Sequence, residues 1–121
     1  LKDKVTLRGR RDNMMEKYTE YSLHIMTSRH EGLPMTLIEA QACGLPSVAF
    51  NFKFGASDII KDYHNGIIVE QGNINLFVNA ITDMMNNEKM RMEQGRKALE
   101  NSRRFYAENI MPEWQKLIDG L

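Results

Sequence analysis

The stretch from Ser28 to Ala49 reads Ser-Arg-His-Glu-Gly-Leu-Pro-Met-Thr-Leu-Ile-Glu-Ala-Gln-Ala-Cys-Gly-Leu-Pro-Ser-Val-Ala. Its punctuation predicts a helix over Pro34 to Cys43. Proline at a first helical position loses no needed N–H, glycine closes a helix, and a second proline blocks its continuation. Pro34, Gly44 and Pro46 stand in those places. The short apolar runs Leu23 to Thr27 and Ser47 to Phe50 flank this helix and predict strands. Strand, helix, strand is the βαβ unit of a parallel sheet.

Moving outward, Val5 to Leu7 predicts another strand, ended by Gly9, and Ile67 to Val69 a fourth, after an Asn65-Gly66 turn. Residues 12–21 place Met14, Met15 and Tyr18 at helical spacing. Residues 74–86 carry Leu76, Phe77, Ala80, Ile81, Met84 and Met85 on one stripe. Residues 88–104 predict a helix with Met90, Met92, Ala98 and Leu99 among many charges. A last segment, 106–119, carries Ile110, Trp114, Leu117 and Ile118, with Pro112 predicting a break or a new start. Four strands make part of a doubly wound sheet, so the missing strands are expected before Leu1. The chain reads as a piece of a longer protein. Its nine methionines are expected mostly at core positions.

With 121 residues there is room for one modest core, and 42% hydrophobic with 26% charged residues argues against disorder. Lys plus Arg and Asp plus Glu number 16 each, which gives no support to nucleic-acid binding. Basic residues gather at Arg8, Arg10 and Arg11 and again at Arg96, Lys97, Arg103 and Arg104. The second group reads as a solvated helix face, with contact to anionic lipid as the alternative. The single cysteine, Cys43, allows no internal disulfide, fits a reducing cytoplasmic setting and reads as a buried, inert thiol. No apolar run reaches the ~20 residues that span a bilayer, and His24, His30 and His64 are scattered rather than set as metal ligands.

Ligands of open parallel sheets bind outside the carboxyl ends of the strands. The strand ending at Thr27 delivers Arg29, His30 and Glu31 to that edge, and Gly32 permits a close backbone approach. The helix that follows offers amides near Leu33, Met35 and Thr36. Unbonded N–H groups and the helix dipole suit an anion such as a diphosphate, and the Thr36 hydroxyl adds a donor. Glu39 is an acid in an otherwise apolar helix; its carboxylate is able to accept from two adjacent hydroxyls, as a ribose presents them. The plainer readings stand beside these. Glu31 also suits a helix N-terminus, Glu39 a solvated face, and His30, Arg8 and Arg10 a charged surface. Trp114 reads as a core or domain-interface anchor.

The same stretch resembles the Glu-x7-Glu signature of retaining glycosyltransferase family 4, through Glu31-Gly32-Leu33-Pro34, Glu39-Ala40-Gln41-Ala42-Cys43-Gly44-Leu45-Pro46 and Ser47-Val48-Ala49. The resemblance extends to Val5-Thr6-Leu7 with Gly9, to Gly55-Ala56-Ser57-Asp58-Ile59-Ile60 and to Asn65-Gly66-Ile67-Ile68-Val69. It implies the α/β fold of a GT-B enzyme: a Rossmann-like parallel sheet with flanking helices, here part of the C-terminal domain. Residues 1–105 would form the partial nucleotide-sugar-binding domain, and 106–121 a helical tail that crosses to an absent N-terminal domain.

The implied activity is transfer of a hexosyl unit from a UDP- or GDP-type sugar to a glycan or lipid-linked acceptor in surface polysaccharide synthesis. The resemblance gives the catalytic place to Glu31, facing the donor sugar, and the ribose to Glu39. The backbone of Gly32, Leu33, Pro34, Met35, Thr36 and Leu37 would meet sugar and phosphates, with His30 and Arg10 as further donor contacts. No metal and no cofactor beyond the donor are implied. The implied location is cytoplasmic, with the inner face of the membrane open to the full-length protein as a peripheral site. The paired Arg and Lys that clamp the diphosphate in the family would precede Val5 and are absent here, as is the acceptor domain, so the isolated chain is expected to be inactive. A non-hydrolysing nucleotide-sugar epimerase and a non-catalytic nucleotide-sugar-binding module are the alternatives.

Overall fold

In the computed structural model, which describes residues 2–121, three strands run parallel in the order β1 (His24–Met26), β2 (Ser47–Asn51), β3 (Gly66–Glu70). Their register sets His24 beside Ser47 and Ser47 beside Gly66, so the three carboxyl ends form one edge. The helices are α1 (Met14–Tyr18), α2 (Met35–Ala42), α3 (Ala56–Ile59), α4 (Ile74–Asn86), α5 (Glu88–Ser102) and α6 (Ala107–Asp119), with a 3-10 turn at Arg103–Phe105. This is the expected α/β architecture of a parallel sheet flanked by helices.

Alternation along β2 distributes the core, because successive strand residues face opposite ways. Ala49 joins Leu37 and Ile38 of α2 and Ala56 and Ile59 of α3 on one face. Val48 and Phe50 join Phe77, Ala80 and Met84 of α4 on the other, where the Phe50 and Phe77 rings stack with centroids 4.2 Å apart. A strand covered on both faces reads as a continuous apolar run, and β2 is buried at every position but Asn51.

Several expectations are corrected. Val5 to Leu7 forms no strand; the segment is irregular, unpaired and exposed, with Leu7 almost wholly in solvent. A strand exists only through its ladder, and no described strand lies against these residues. Only Met26 and Met84 of the nine methionines are buried; Met14, Met15, Met35, Met85, Met92 and Met111 are exposed. On α4 the buried stripe is Phe77, Ala80, Ile81 (half-buried) and Met84, leaving Leu76 and Met85 in solvent. One helix face covers the sheet, and residues one position off it point past the edge. On α5 the buried face is Gln94, Gly95, Ala98 and Ser102 rather than the apolar Met92 and Leu99. Small residues there let the backbones touch: a Cβ on Gly95 would collide with the Gly44 carbonyl oxygen just past the end of α2.

Pro112 does not break α6, which runs through it from Ala107 to Asp119. Proline has no N–H to bond the Glu108 carbonyl, and Glu108 is exposed, so that oxygen is left on the solvent side of the helix. Trp114 is 57% exposed and is no core residue of this chain. Cys43 is half-buried rather than buried. Its thiol donates to the Met15 carbonyl at 3.4 Å, and burial together with Glu39 pushes its pKa up, which agrees with an inert role. Short α3 was not anticipated as a helix. Three tertiary donors grip its final carbonyl, Ile59 O: Asn101 Nδ2 at 3.0 Å, Asn65 Nδ2 at 3.1 Å and Gln41 Nε2 at 3.4 Å.

Candidate functional site

The loops leaving β1, β2 and β3 converge at the carboxyl edge, and α2 starts there. Pro34 is the N-cap of α2 and has no side chain able to accept from the first-turn amides. No hydrogen bond within the described residues engages the N–H groups of Gly32, Leu33, Met35 or Thr36. The Leu37 amide, in contrast, donates to Pro34 O at 3.0 Å, and its side chain is wholly buried. The donor set is therefore shorter by one than the resemblance implied. Gly32, Leu33, Met35 and Thr36 are exposed, so their amides face an open edge. The Thr36 hydroxyl lies 3.9 Å from Met26 Sδ, a weak contact that leaves it available.

The turn before α2 is braced from below. Gly55, the N-cap of α3, adopts φ +97°, and a Cβ there would stand 2.6 Å from Pro34 Cδ and 2.9 Å from Gly32 O. Only glycine lets the β2–α3 loop pass this close to the turn that carries the free amides.

The two acids are held by different elements. Glu31 is half-buried, and the Ser28 hydroxyl donates to its Oε1 at 2.7 Å. Glu39 is half-buried on the side of α2 that faces α1, where the buried Tyr18 offers its hydroxyl to Oε2 at 3.5 Å. Burial, followed by Glu39, raises the Tyr18 pKa, so the phenol stays a donor. Neither acid forms an ion pair among the described residues. His30 is exposed beside Glu31. Arg10 is exposed and, among the described residues, pairs with Asp12 alone, at 3.5 Å. Arg8, Gly9 and Arg11, with Met14, Lys17 and Tyr21 of the α1 region, line a separate cavity of about 320 Å³. No group of three or more His, Cys, Asp or Glu is placed to hold a metal among the described residues.

Behind Tyr18 stands His24, which no sequence signal singled out. Its ring meets the Tyr18 ring edge-on at 5.9 Å, and its Nδ1 lies 3.1 Å from Ser47 Oγ. Burial lowers its pKa from 6.5 to about 4. The unfolded chain therefore binds a proton near pH 6.5 that the folded chain refuses until pH about 4. The full stability exists above pH 6.5 and falls by about 1.4 kcal/mol per pH unit below it, or about 3 kcal/mol by pH 4. Urea unfolding at pH 7 and pH 4.5 measures this. The difference between the two should shrink sharply in His24→Gln; an unchanged difference removes His24 as its source.

The family profile described as glycosyl transferases group 1 matches residues 1–101. An exopolysaccharide phosphotransferase of Streptomyces coelicolor is 34% identical over 122 residues, covering 100% of this chain and 13% of that protein. A poly(ribitol-phosphate) alpha-N-acetylglucosaminyltransferase of Staphylococcus aureus is 34% identical over 121 residues, covering 99% of this chain and 24% of that protein. A crystal structure of a mutant of S. aureus TarM in complex with fondaparinux, alpha-GlcNAc-glycerol and UDP superposes with a TM-score of 0.91 at 35% identity, over 97% of this chain and 24% of that one. The chain thus spans between about an eighth and a quarter of the length of these relatives. Among the described residues no helix is long and apolar enough to cross a membrane.

Proposed function

The chain belongs to the glycosyl transferases group 1 family, and on that premise we propose that it is the donor-binding part of a retaining GT-B hexosyltransferase of family 4. One observation carries the reading: four unengaged amides at the start of α2 face the carboxyl edge with a half-buried carboxylate on either side in sequence. In this reading the amides of Gly32, Leu33, Met35 and Thr36 receive the diphosphate. They stabilise the charge that grows on it as its bond to the anomeric carbon breaks. Glu39 takes the ribose hydroxyls, with Tyr18 orienting the carboxylate. Glu31, oriented by Ser28, faces the sugar hydroxyls. Arg10 and His30 complete the donor contacts, and no metal or further cofactor takes part.

The acceptor, a glycan or lipid-linked chain in surface polysaccharide synthesis, would sit on an N-terminal domain. Ile110, Met111, Trp114, Leu117 and Ile118 form the apolar side of α6, and none of them is buried. That face is proposed to lie against the same domain, which makes 106–121 a tail rather than part of the core. The named activity of one relative supports the reading, since it adds N-acetylglucosamine to poly(ribitol-phosphate), and the TarM structure contains UDP. The proposed place of work is the cytoplasm, at the inner membrane face where acceptors are lipid-linked. The epimerase and the non-catalytic module are disfavoured by the Glu31–Glu39 spacing and by the presence of both acids.

Calorimetric titration tests the roles. Glu39→Ala is expected to weaken UDP and UDP-sugars alike by about tenfold, the loss of a charge-assisted pair of hydrogen bonds. Glu31→Ala is expected to weaken UDP-sugars and leave plain UDP near wild type. Unchanged affinity in Glu39→Ala removes the ribose assignment; equal losses for UDP and UDP-sugar in Glu31→Ala remove the sugar assignment. GDP-sugars run in parallel identify the base.

A further inference from the structure

A cleft opens at the same sheet edge. It measures about 610 Å³ and is lined from all three strand ends: Arg29 and His30 after β1, Asn51 and Lys53 with β2, and Gln71 after β3. None of Gly32, Leu33, Pro34, Met35 or Thr36 lines it. Its titratable residues are Arg29, His30 and Lys53, and no carboxylate is among its lining. Among the described residues neither Arg29 nor Lys53 stands in an ion pair; the pairs present involve Arg10, Lys17, Arg96, Lys97 and Lys116. The Lys53 ammonium lies 5.2 Å from the Phe54 ring centroid, a contact that orients the charge without neutralising it.

The electrostatic contrast with the neighbouring surface is sharp. On the far side of Asn51 and Gln71 lies another cleft that carries Asp62 and Glu70. Asn51 and Gln71 are thus the border between a cationic and an anionic pocket, in a chain of zero net charge. An anion at this edge is steered to the Arg29 side and repelled from the other.

We propose that this cleft binds a phosphodiester or diphosphate group of the acceptor, whose remaining length would lie on the N-terminal domain. A planar guanidinium and an ammonium from two different loops suit a tetrahedral, multiply anionic group. The cleft exceeds the volume of one phosphate, which leaves space for the polyol or sugar joined to it. The donor diphosphate has its own amides on the α2 side. Glu31, next to His30, separates the two in sequence, so the reacting sugar would lie between donor and acceptor phosphates. Assignment to the acceptor rests on the donor reading above; the affinity of the cleft for a phosphoryl group does not.

The test uses the full chain and two probes, a short glycerol-phosphate oligomer and UDP, with an uncharged glycerol oligomer as control. In Arg29→Gln/Lys53→Gln the oligomer is expected to bind about tenfold or more weakly, with a salt dependence flatter by about two counterions. UDP affinity should stay at the wild-type value, and both substituted side chains are exposed, so the circular dichroism should not change. Unchanged oligomer affinity overturns the proposal. An equal loss for UDP also overturns it, because the cleft then serves the donor. If the wild type binds the oligomer and not UDP, the donor reading fails while the oligomer arm still decides the cleft.

Discussion

Gly55→Ala is expected to destabilise the chain by about 4 kcal/mol and to abolish measurable nucleotide binding in whatever fraction remains folded. Two costs combine. A non-glycine residue at φ +97° is strained by about 1–3 kcal/mol. The new methyl also overlaps Pro34 Cδ at 2.6 Å and Gly32 O at 2.9 Å, and overpacking of this kind costs about 1–3 kcal/mol more. One obstacle is backbone, so relief requires the Gly32–Pro34 turn itself to move. That turn carries the free amides, which is why binding should suffer beyond stability. Urea unfolding gives the first quantity and UDP titration below the transition the second. A variant as stable as wild type would refute the close approach; a destabilised variant with wild-type UDP affinity would show that the turn does not carry the ligand.

Gln41→Ala is expected to cost about 4 kcal/mol, although the residue touches no proposed ligand group. Gln41 is wholly buried on α2. Its Oε1 accepts from Asn101 Nδ2 at 2.8 Å, and its Nε2 reaches Ile59 O at 3.4 Å. Truncation empties a buried volume and strips partners from a network that joins α2, α3 and α5. Asn65 closes the network by accepting from the Lys61 amide at 2.7 Å and donating to Ile59 O at 3.1 Å. The Arg104 guanidinium adds a bond to the Asp58 carbonyl. Gln41→Leu restores most of the volume and none of the polarity, so it should recover about half of the loss. If Gln41→Ala costs under about 1 kcal/mol, the network contributes nothing specific.

Both effects depend on positions whose importance was not visible in the residue types. In the sequence Gly55 is one residue of a segment that resembles the family; the structure shows that it braces a turn more than twenty residues earlier in the chain. Gln41, Gln94 and Ser102 look like surface residues, and periodicity directs attention to Met92 and Leu99 instead. The buried face of α5 is polar and small because it packs backbone to backbone on the end of α2, where bulk is excluded. His24 is a comparable case: a histidine beside apolar residues carries no sign that its ring lies between Tyr18 and Ser47.

The residues by themselves determined the strand–helix–strand unit around α2 and the parallel sheet. Those follow from local rules: proline and glycine punctuate helices, and β-branched runs between helical stretches pair in parallel. Only the tertiary structure decided that Val5 to Leu7 is not a strand, that the Leu37 amide is already engaged, and that Arg29, His30 and Lys53 share one cleft. Pairing, hydrogen-bond occupancy and the meeting of loops from different strands are relations between residues distant in sequence. No property of a single segment encodes them, because each depends on where the rest of the chain comes to lie.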